Sequence, residues 1–258
     1  MVDFHSHILF GVDDGSTDFE MSVKMIETSI SEGVTILAAT PHHIPDEFET
    51  GRAEYEEKFN RLKEKFQGKI ELIPSVEIMI NRNLLEDLKE GKIFGYGHSK
   101  TLLIEFNLLD YPTYAEGLFY KLKKEGYQVI LAHPERNKAL REDPEEIYHL
   151  IDLGVLCQMN AGSLAGHFGE KNKAFAEKLV LKNLIHAIGS DGHNDAKRST
   201  RIKFAYDRVK EMNPELYAHI IKTSPKIIKG ETCDPLAYKS WEDTTRKKGR
   251  GILGLFRK

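Results

Sequence analysis

The sequence predicts an α/β fold, a distorted (β/α)7 barrel, and three observations carry that expectation. Short apolar runs rich in β-branched residues recur along the chain, helical stretches separate them, and a histidine or an acid stands at or just beyond most run ends. The runs lack strict polar alternation, as suits parallel strands buried on both faces. In such a barrel the C-terminal strand ends share one rim, so residues scattered in sequence become neighbours there.

Seven strands are expected, at residues 2–5, 34–40, 70–77, 102–106, 129–133, 155–160 and 185–190. Helices are expected between them, at 22–32, 54–66, 83–90, 114–125, 145–153 and 172–182. In the first helix Met21, Met25, Ile26 and Ile30 form a core-facing stripe. Gly33 and Gly126 read as helix stops. Beyond residue 190 the alternation ends. Helices at 199–212 and 216–221 are followed by a segment at 224–228, containing Pro225, that packs back onto the barrel.

The chain has 258 residues and shows no internal linker rich in Pro, Gly or Ser, so residues 1–238 read as one barrel domain. Residues 239–258 read as a flexible basic tail, in which Arg246, Lys247, Lys248, Arg250, Arg257 and Lys258 surround Ile252-Leu253-Gly254-Leu255-Phe256. A sharper reading makes that tail a peripheral contact for an anionic membrane surface or for a kinase partner. A formal net charge of -3 argues against chain-wide attraction to nucleic acid, and none is expected as a partner. There is no signal-peptide pattern and no apolar run near the roughly 20 residues that span a bilayer, so a cytoplasmic protein is expected. The two cysteines, Cys157 and Cys233, give no disulfide framework. Six positions beyond them stand Ser163 and Lys239 rather than arginine, which disfavours a phosphatase with a cysteine nucleophile.

The chemistry lies in the run ends. His5-Ser6-His7 closes the first run, and the period of two along a strand puts both imidazoles on one face, able to chelate one ion. Asp14 follows in Val12-Asp13-Asp14-Gly15. His42, Glu77, Glu105 and His133 end or follow the next four runs, and Asp191 and His193 follow the last. An unpaired buried carboxylate costs several kcal/mol, and a cation at Glu77 and Glu105 removes that cost. Five imidazoles and four carboxylates are too many for one or two ions, because a site takes three or four protein ligands. Three divalent ions fit, and against four carboxylates they leave a surplus of about +2, which attracts a phosphate dianion. Arg136 and Arg198 lie three and five residues past His133 and His193, where a guanidinium fork can reach phosphoryl oxygens. The loop 160–166 is a weaker candidate for offering backbone amides to phosphate.

The stretches His5-Ser6-His7, Val12-Asp13-Asp14-Gly15, Thr40-Pro41-His42, Val76-Glu77-Ile78, Leu103-Ile104-Glu105-Phe106, Ala132-His133-Pro134-Glu135-Arg136 and Ser190-Asp191-Gly192-His193-Asn194 together resemble the motif set of the polymerase-and-histidinol-phosphatase (PHP) superfamily. More narrowly the chain resembles bacterial protein-tyrosine phosphatases of the CpsB/CapC kind, from near residue 1 to about residue 230. That resemblance implies a distorted seven-stranded barrel and a trinuclear centre, commonly of manganese, with iron or zinc as alternatives. It also implies phosphotyrosine on a bacterial tyrosine kinase, one that controls capsule or exopolysaccharide synthesis, as the substrate. One ion is implied on His5, His7, Glu77 and Asp191. A second falls on Glu77, Glu105 and His133, and a third on Asp14, His42 and His193. Arg136 and Arg198 match the family's phosphate-binding arginines.

Metal-assisted hydrolysis of a phosphomonoester is the expected reaction. A tyrosyl phenolate, with a pKa near 10, leaves with less help than a serine alkoxide. Phe48, Tyr55, Tyr111 and Tyr114 are candidates to receive its ring. The competing readings are a small-molecule phosphatase of the histidinol-phosphatase type, a phosphodiesterase or nuclease, and a catalytically silent docking module.

Overall fold

The computed structural model describes residues 1–241. The strands assigned among them are β1 (Val2–Asp3), β2 (Ile36–Ala39), β3 (His42–His43), β4 (Glu71–Pro74), β5 (Glu77–Met79), β6 (Thr101–Glu105), β7 (Gln128–Ala132), β8 (Leu156–Asn160) and β9 (Ala187–Gly189). Every pairing is parallel, in the orders β1-β2-β4 and β3-β5-β6-β7-β8-β9. The result is a mixed α/β protein built on a curled parallel sheet.

The expected strand 34–40 is β2, and beyond Pro41 the chain forms a further short strand, β3, that was not expected; the expected strand 70–77 divides, giving β4 and, starting at its last residue, β5, with Pro74 near the break. Proline has no N–H to donate, so an even ladder cannot run through it. Hydrogen bonding resumes beyond each break, from Ser75 N–H to Ala39 O at 3.0 Å and from Glu77 N–H to Pro41 O at 2.9 Å. The first and last strands are joined as well. Phe4 N–H donates to Ile188 O at 3.2 Å, Asp191 N–H to His5 O at 2.8 Å and His7 N–H to Gly192 O at 2.8 Å. Gly189 permits this approach, because a Cβ there would stand 2.5 Å from the Cβ of His5.

The helices are α1 (Phe19–Ser31), α2 (Arg52–Lys65), α3 (Leu84–Lys89), α4 (Ala115–Lys124), α5 (Lys138–Glu142), α6 (Glu145–Asp152), α7 (Ala161–Leu164), α8 (Glu170–Leu181), α9 (Lys203–Met212) and α10 (Pro214–Ile227). The side chain of Asp18 caps α1 by accepting from Met21 N–H, and Met25 and Ile26 are buried while Met21 and Ile30 pack at the core's edge. The pieces expected at 216–221 and 224–228 are one continuous helix, α10. Pro225 falls in its last turn, where little of the helix remains for a lost bond to disrupt. Its end does pack back: Ile227 and Ile228 join Val2, Phe4, Tyr96 and Leu103 in an inner apolar cluster. No helix among the described residues is long and apolar enough to cross a membrane.

The inner face of the sheet changes character along the strands. Leu103 is followed two positions on by Glu105, and Leu156 by Gln158 and then Asn160, all buried. Because alternate residues share a face, apolar filling at the lower end gives way to polar groups at the upper rim. At the C-terminus Lys239 is held by its N–H to Lys182 O and its carbonyl to Tyr148 OH, and Trp241 packs on Phe175. The proposed tail contact falls on residues 242–258, outside the described residues.

Candidate metal centre

All nine strand-end residues converge at the upper rim. His5 Nε2 and His7 Nε2 are 3.0 Å apart, and Glu77 Oε2 lies 3.1 and 3.4 Å from them. Asp191 Oδ1 is 3.7 Å from the first and 3.4 Å from the second. His133 Nε2 lies 2.9 Å from Glu77 Oε1 and 3.8 Å from Glu105 Oε2. On the solvent side Asp14 Oδ1 is 3.6 Å from His42 Nε2 and 3.4 Å from His193 Nε2.

Two backbone turns deliver ligands into this space. His133 and Asp191 take φ of 33° and 51°, left-handed values unusual for residues with a side chain. Such strain persists where the surroundings fix it and concentrates at functional sites. Gly15 matters for the same reason as Gly189, since a Cβ there would come within 2.4 Å of the Cβ of His7.

A further layer of residues sets which ring nitrogen points inward. Asp13 Oδ2 lies 2.7 Å from His7 Nδ1 and accepts from His42 N–H at 2.9 Å. Gln158 Oε1 is 3.0 Å from His5 Nδ1, and its amide donates to Asn160 Oδ1. His193 Nδ1 sits 3.0 Å from the carbonyl of Asp191. In each case the outer nitrogen holds a proton, so Nε2 is the atom that faces the cluster and can give a lone pair to an ion. Asn160 donates to Asp191 Oδ2 at 2.7 Å, while buried Glu135 accepts from Asn160 N–H and Ser163 OH. Asp13, Gln158 and Glu135 were not among the expected site residues, and Asn160 was expected only as part of loop 160–166. The polar residues at 158 and 160 inside an otherwise apolar run were the available signal.

Several buried atoms at this rim have no hydrogen-bond partner: His42 Nδ1, His193 Nε2, Glu77 Oε2 and Glu105 Oε1. His42 Nδ1 is 3.0 Å from Glu77 Oε2 and 3.1 Å from Glu105 Oε1, close but off the line of a hydrogen bond. Such orphans are rare in folded proteins. Donor atoms 3.0 to 3.7 Å apart match the separation of about 3.4 Å between two ligands on a tetrahedral ion with bonds near 2.1 Å. Groups of donor atoms spaced closely enough for a metal ion are His5 with His7 and Glu77, His42 with Glu77 and Glu105, and Asp14 with His7, His42 and His193. Imidazole with carboxylate is the donor set of a divalent transition metal.

The protonation equilibria point the same way. Burial lowers His42, but the charge of Glu77 and the nearby Glu105 outweigh it and lift the ring to about 10. Burial likewise opposes charging of His7, and Asp13 reverses that, holding it well above its ordinary value. Burial would raise Glu77 and Asp191, yet the imidazoles around them, with both arginines at Asp191, hold them well below the carboxylate range. His7 and His42 thus favour a proton where a cation would sit, whereas burial and the charge of His7 push His193 down, and metal binding at the raised rings releases protons.

Both expected arginines reach the cluster. Arg136 Nη1 donates to Asp191 Oδ2 at 2.7 Å and Arg198 Nη2 to Asp191 Oδ1 at 3.1 Å. They line a hollow of about 370 Å³ together with Asp14, His42, Glu105 and His133. One weaker expectation fails. Tyr55 is buried, its hydroxyl donating to Ala39 O and accepting from Ser75 N–H, so it cannot receive a ring. Loop 160–166 coils into α7, and of its backbone amides that of Asn160 is taken by Glu135.

A curled parallel sheet with a polar rim of imidazoles, carboxylates and paired arginines defines a metal-site α/β protein. Residues 1–228 match the family described as "Capsular polysaccharide synthesis, CpsB/CapC", and the chain belongs to that family. It is 36% identical over 236 residues to the "Tyrosine-protein phosphatase YwqE" of Bacillus subtilis (strain 168), covering 90% of this chain and 93% of the relative. Its fold superposes with a TM-score of 0.88, at 33% identity and covering 93% of this chain and 98% of the other, on the structure described as "Crystal structures of YwqE from Bacillus subtilis and CpsB from Streptococcus pneumoniae, unique metal-dependent tyrosine phosphatases". A histidinol phosphate phosphatase of Lactococcus lactis subsp. lactis Il1403 shares the fold at a TM-score of 0.54 and 16% identity, over 82% of this chain and 92% of that one.

Proposed function

We propose that this chain is a metal-dependent protein-tyrosine phosphatase, acting in the cytoplasm on a bacterial tyrosine kinase that regulates capsule or exopolysaccharide synthesis. The observation that carries the reading is the meeting of five imidazoles and four carboxylates, several of their buried atoms without hydrogen-bond partners, beside two arginines. The names of the relatives supply the substrate class. The sheet serves as one distorted (β/α)7 barrel, with the bonds from residues 4–7, just beyond β1, to residues 188–192, at and beyond β9, as its seam.

His5, His7, Glu77 and Asp191 would hold one divalent ion, Glu77, Glu105 and His133 a second, and Asp14, His42 and His193 a third. Manganese is the first choice, with iron and zinc as alternatives. Ions bound there supply Lewis acidity to the phosphoryl group and make water a competent nucleophile near neutral pH. Arg136 and Arg198 bind the phosphoryl oxygens and stabilise the charge that spreads over them during transfer. Asp13, Gln158 and Asn160 keep His7, His5 and Asp191 in register. The phenolate leaves without a strong general acid because its pKa is near 10.

The test pairs elemental analysis of the purified protein with hydrolysis of a phosphotyrosine peptide and of histidinol phosphate, before and after chelation. Chelation should abolish turnover of the phosphotyrosine peptide, and manganese should restore it. Full activity in protein shown to be metal-free would overturn the metal role. Preference for histidinol phosphate would overturn the substrate class.

A further inference from the structure

A second hollow, of about 750 Å³, adjoins the phosphoryl site and shares Asp191 and Arg198 with it. Phe168, in the segment after α7, and Phe204, near the start of α9, supply aromatic surface to it. The Arg136 guanidinium carbon lies 4.4 Å from the centroid of the Phe168 ring, so this wall also touches the phosphate-binding arginine. Phe204 is 38% exposed, so part of its ring is open to a ligand in the groove.

The charges of this groove do not balance. Lys197, Arg198 and Arg201 line it, against a single lining acid, Asp191. Asp191 is buried and already accepts from Arg136 and Arg198. Arg201 is neutralised from outside the groove by Glu32 at 3.2 Å, and nearby Asp195 is paired with Lys24. Lys197 is exposed and has no ion pair among the described residues. The excess of positive charge is local, because the chain as a whole carries -3.

We infer that the groove docks the peptide flank of the phosphorylated substrate, with a carboxylate side chain near the phosphotyrosine meeting Lys197 and apolar atoms lying against Phe168 and Phe204. This deepens the proposed function and rests on it. The acidic residue falls within two or three positions of the phosphotyrosine, since the two hollows adjoin and an extended chain advances about 3.5 Å per residue. A free aryl phosphate has no such flank and gains nothing from the groove. Selection therefore acts on KM for peptides, through an ion pair at the rim and through apolar contact, while turnover stays with the metal ligands and the two arginines.

The test uses the metal-loaded full chain with three phosphotyrosine peptides that differ only in having Glu, Ala or Lys two positions from the phosphotyrosine, plus a small aryl phosphate. For the unmodified protein the Glu peptide should show a KM about fivefold below the Lys peptide, the upper range for one exposed ion pair, with the gap narrowing at high salt. Lys197→Glu should erase or invert that order and leave kcat/KM for the aryl phosphate within about twofold. Phe204→Ala should raise KM for all three peptides without changing the aryl phosphate. Equal KM for the three peptides, with the aryl phosphate still hydrolysed, would overturn the groove assignment and leave the phosphatase reading standing. If nothing is hydrolysed, the phosphatase reading fails. The groove is then judged by fluorescence anisotropy on the same peptides carrying a non-hydrolysable phosphonate: tighter binding of the Glu peptide that Lys197→Glu removes sustains it, and indifferent binding ends it.

Discussion

At the lower end of the sheet, buried polar groups reach a main-chain partner: Tyr96 OH donates to Phe4 O at 2.8 Å, Tyr206 OH to Val2 O at 2.7 Å, and Cys157 N–H donates to His186 Nδ1 at 2.9 Å. One atom there, His186 Nε2, has no partner and stands apart from other donors. At the upper rim the unpartnered buried atoms cluster: those of His42, His193, Glu77 and Glu105 lie within one group of imidazoles and carboxylates, where His5 Nε2 also stands 3.0 Å from His7 Nε2. The lower end ties these polar groups to the main chain and serves stability. The upper end gathers its open donors, and an open arrangement of imidazole and carboxylate invites a ligand from outside. The same division between a stabilising bottom and a reactive top recurs in α/β barrels generally.

If that division holds, substitutions at the two ends should separate activity from stability. The largest effect belongs to the rim. Arg136→Ala should lower kcat on a phosphotyrosine peptide by about 10²- to 10³-fold, the cost of removing one fixed donor to a developing anion. Its thermal midpoint should move little, because Asp191 keeps its donors from Asn160 and Arg198. A variant with unchanged kcat would end the arginine's assigned role.

Asp13→Ala tests the outer layer that orients His7 and His42. Metal affinity, read by titrating metal-stripped protein, should weaken by about 10- to 100-fold, the usual consequence of losing such a partner. An unchanged affinity would make Asp13 a turn residue only.

The lower end has its own pH signature. Burial, with a smaller contribution from His219, pushes His186 down to about 3. As pH falls below the ordinary histidine value of about 6.5, the unfolded chain takes up a proton that the folded chain refuses. This ring therefore costs stability progressively between about pH 6.5 and 3, about 2 kcal/mol on going from pH 7 to pH 5. In urea titrations of metal-stripped protein, His186→Gln should lose less stability over that interval by about this amount. Parallel pH dependences for the two proteins would remove His186 from the account.

The smallest effect is Tyr206→Phe. It leaves the carbonyl of Val2 buried without its donor and should cost about 1–2 kcal/mol in urea, with kcat unchanged. A loss of activity without loss of stability would blur the contrast between the two ends.

The sequence made much of this legible because strand ends are local events. An apolar run closed by His5, His42, Glu105, His133 or Asp191 can be read without knowing any contact, and nine such residues at run ends imply a common rim. Arg136 was legible through its distance from His133. Tyr55 was misread, since its place in the segment after the second expected strand gave no hint that its hydroxyl would sit inside a backbone pair. The breaks at Pro41 and Pro74 were visible as prolines, but neither the extra strand β3 beyond Pro41 nor the division of 70–77 into β4 and β5 was.

The family came from the resemblance of the motifs to known proteins; periodicity and spacing by themselves determined the α/β class of fold and pointed to the metal-type donors. Those follow from periodicity and residue chemistry, which act over a few positions. Only the tertiary structure decided which nitrogen of each imidazole faces inward, that Asp13, Gln158 and Asn160 hold the donors, and that Phe168, Lys197 and Phe204 line a groove beside them. Each of these depends on side chains brought together from distant segments, and no local pattern encodes the distance between two segments that meet only when the sheet curls.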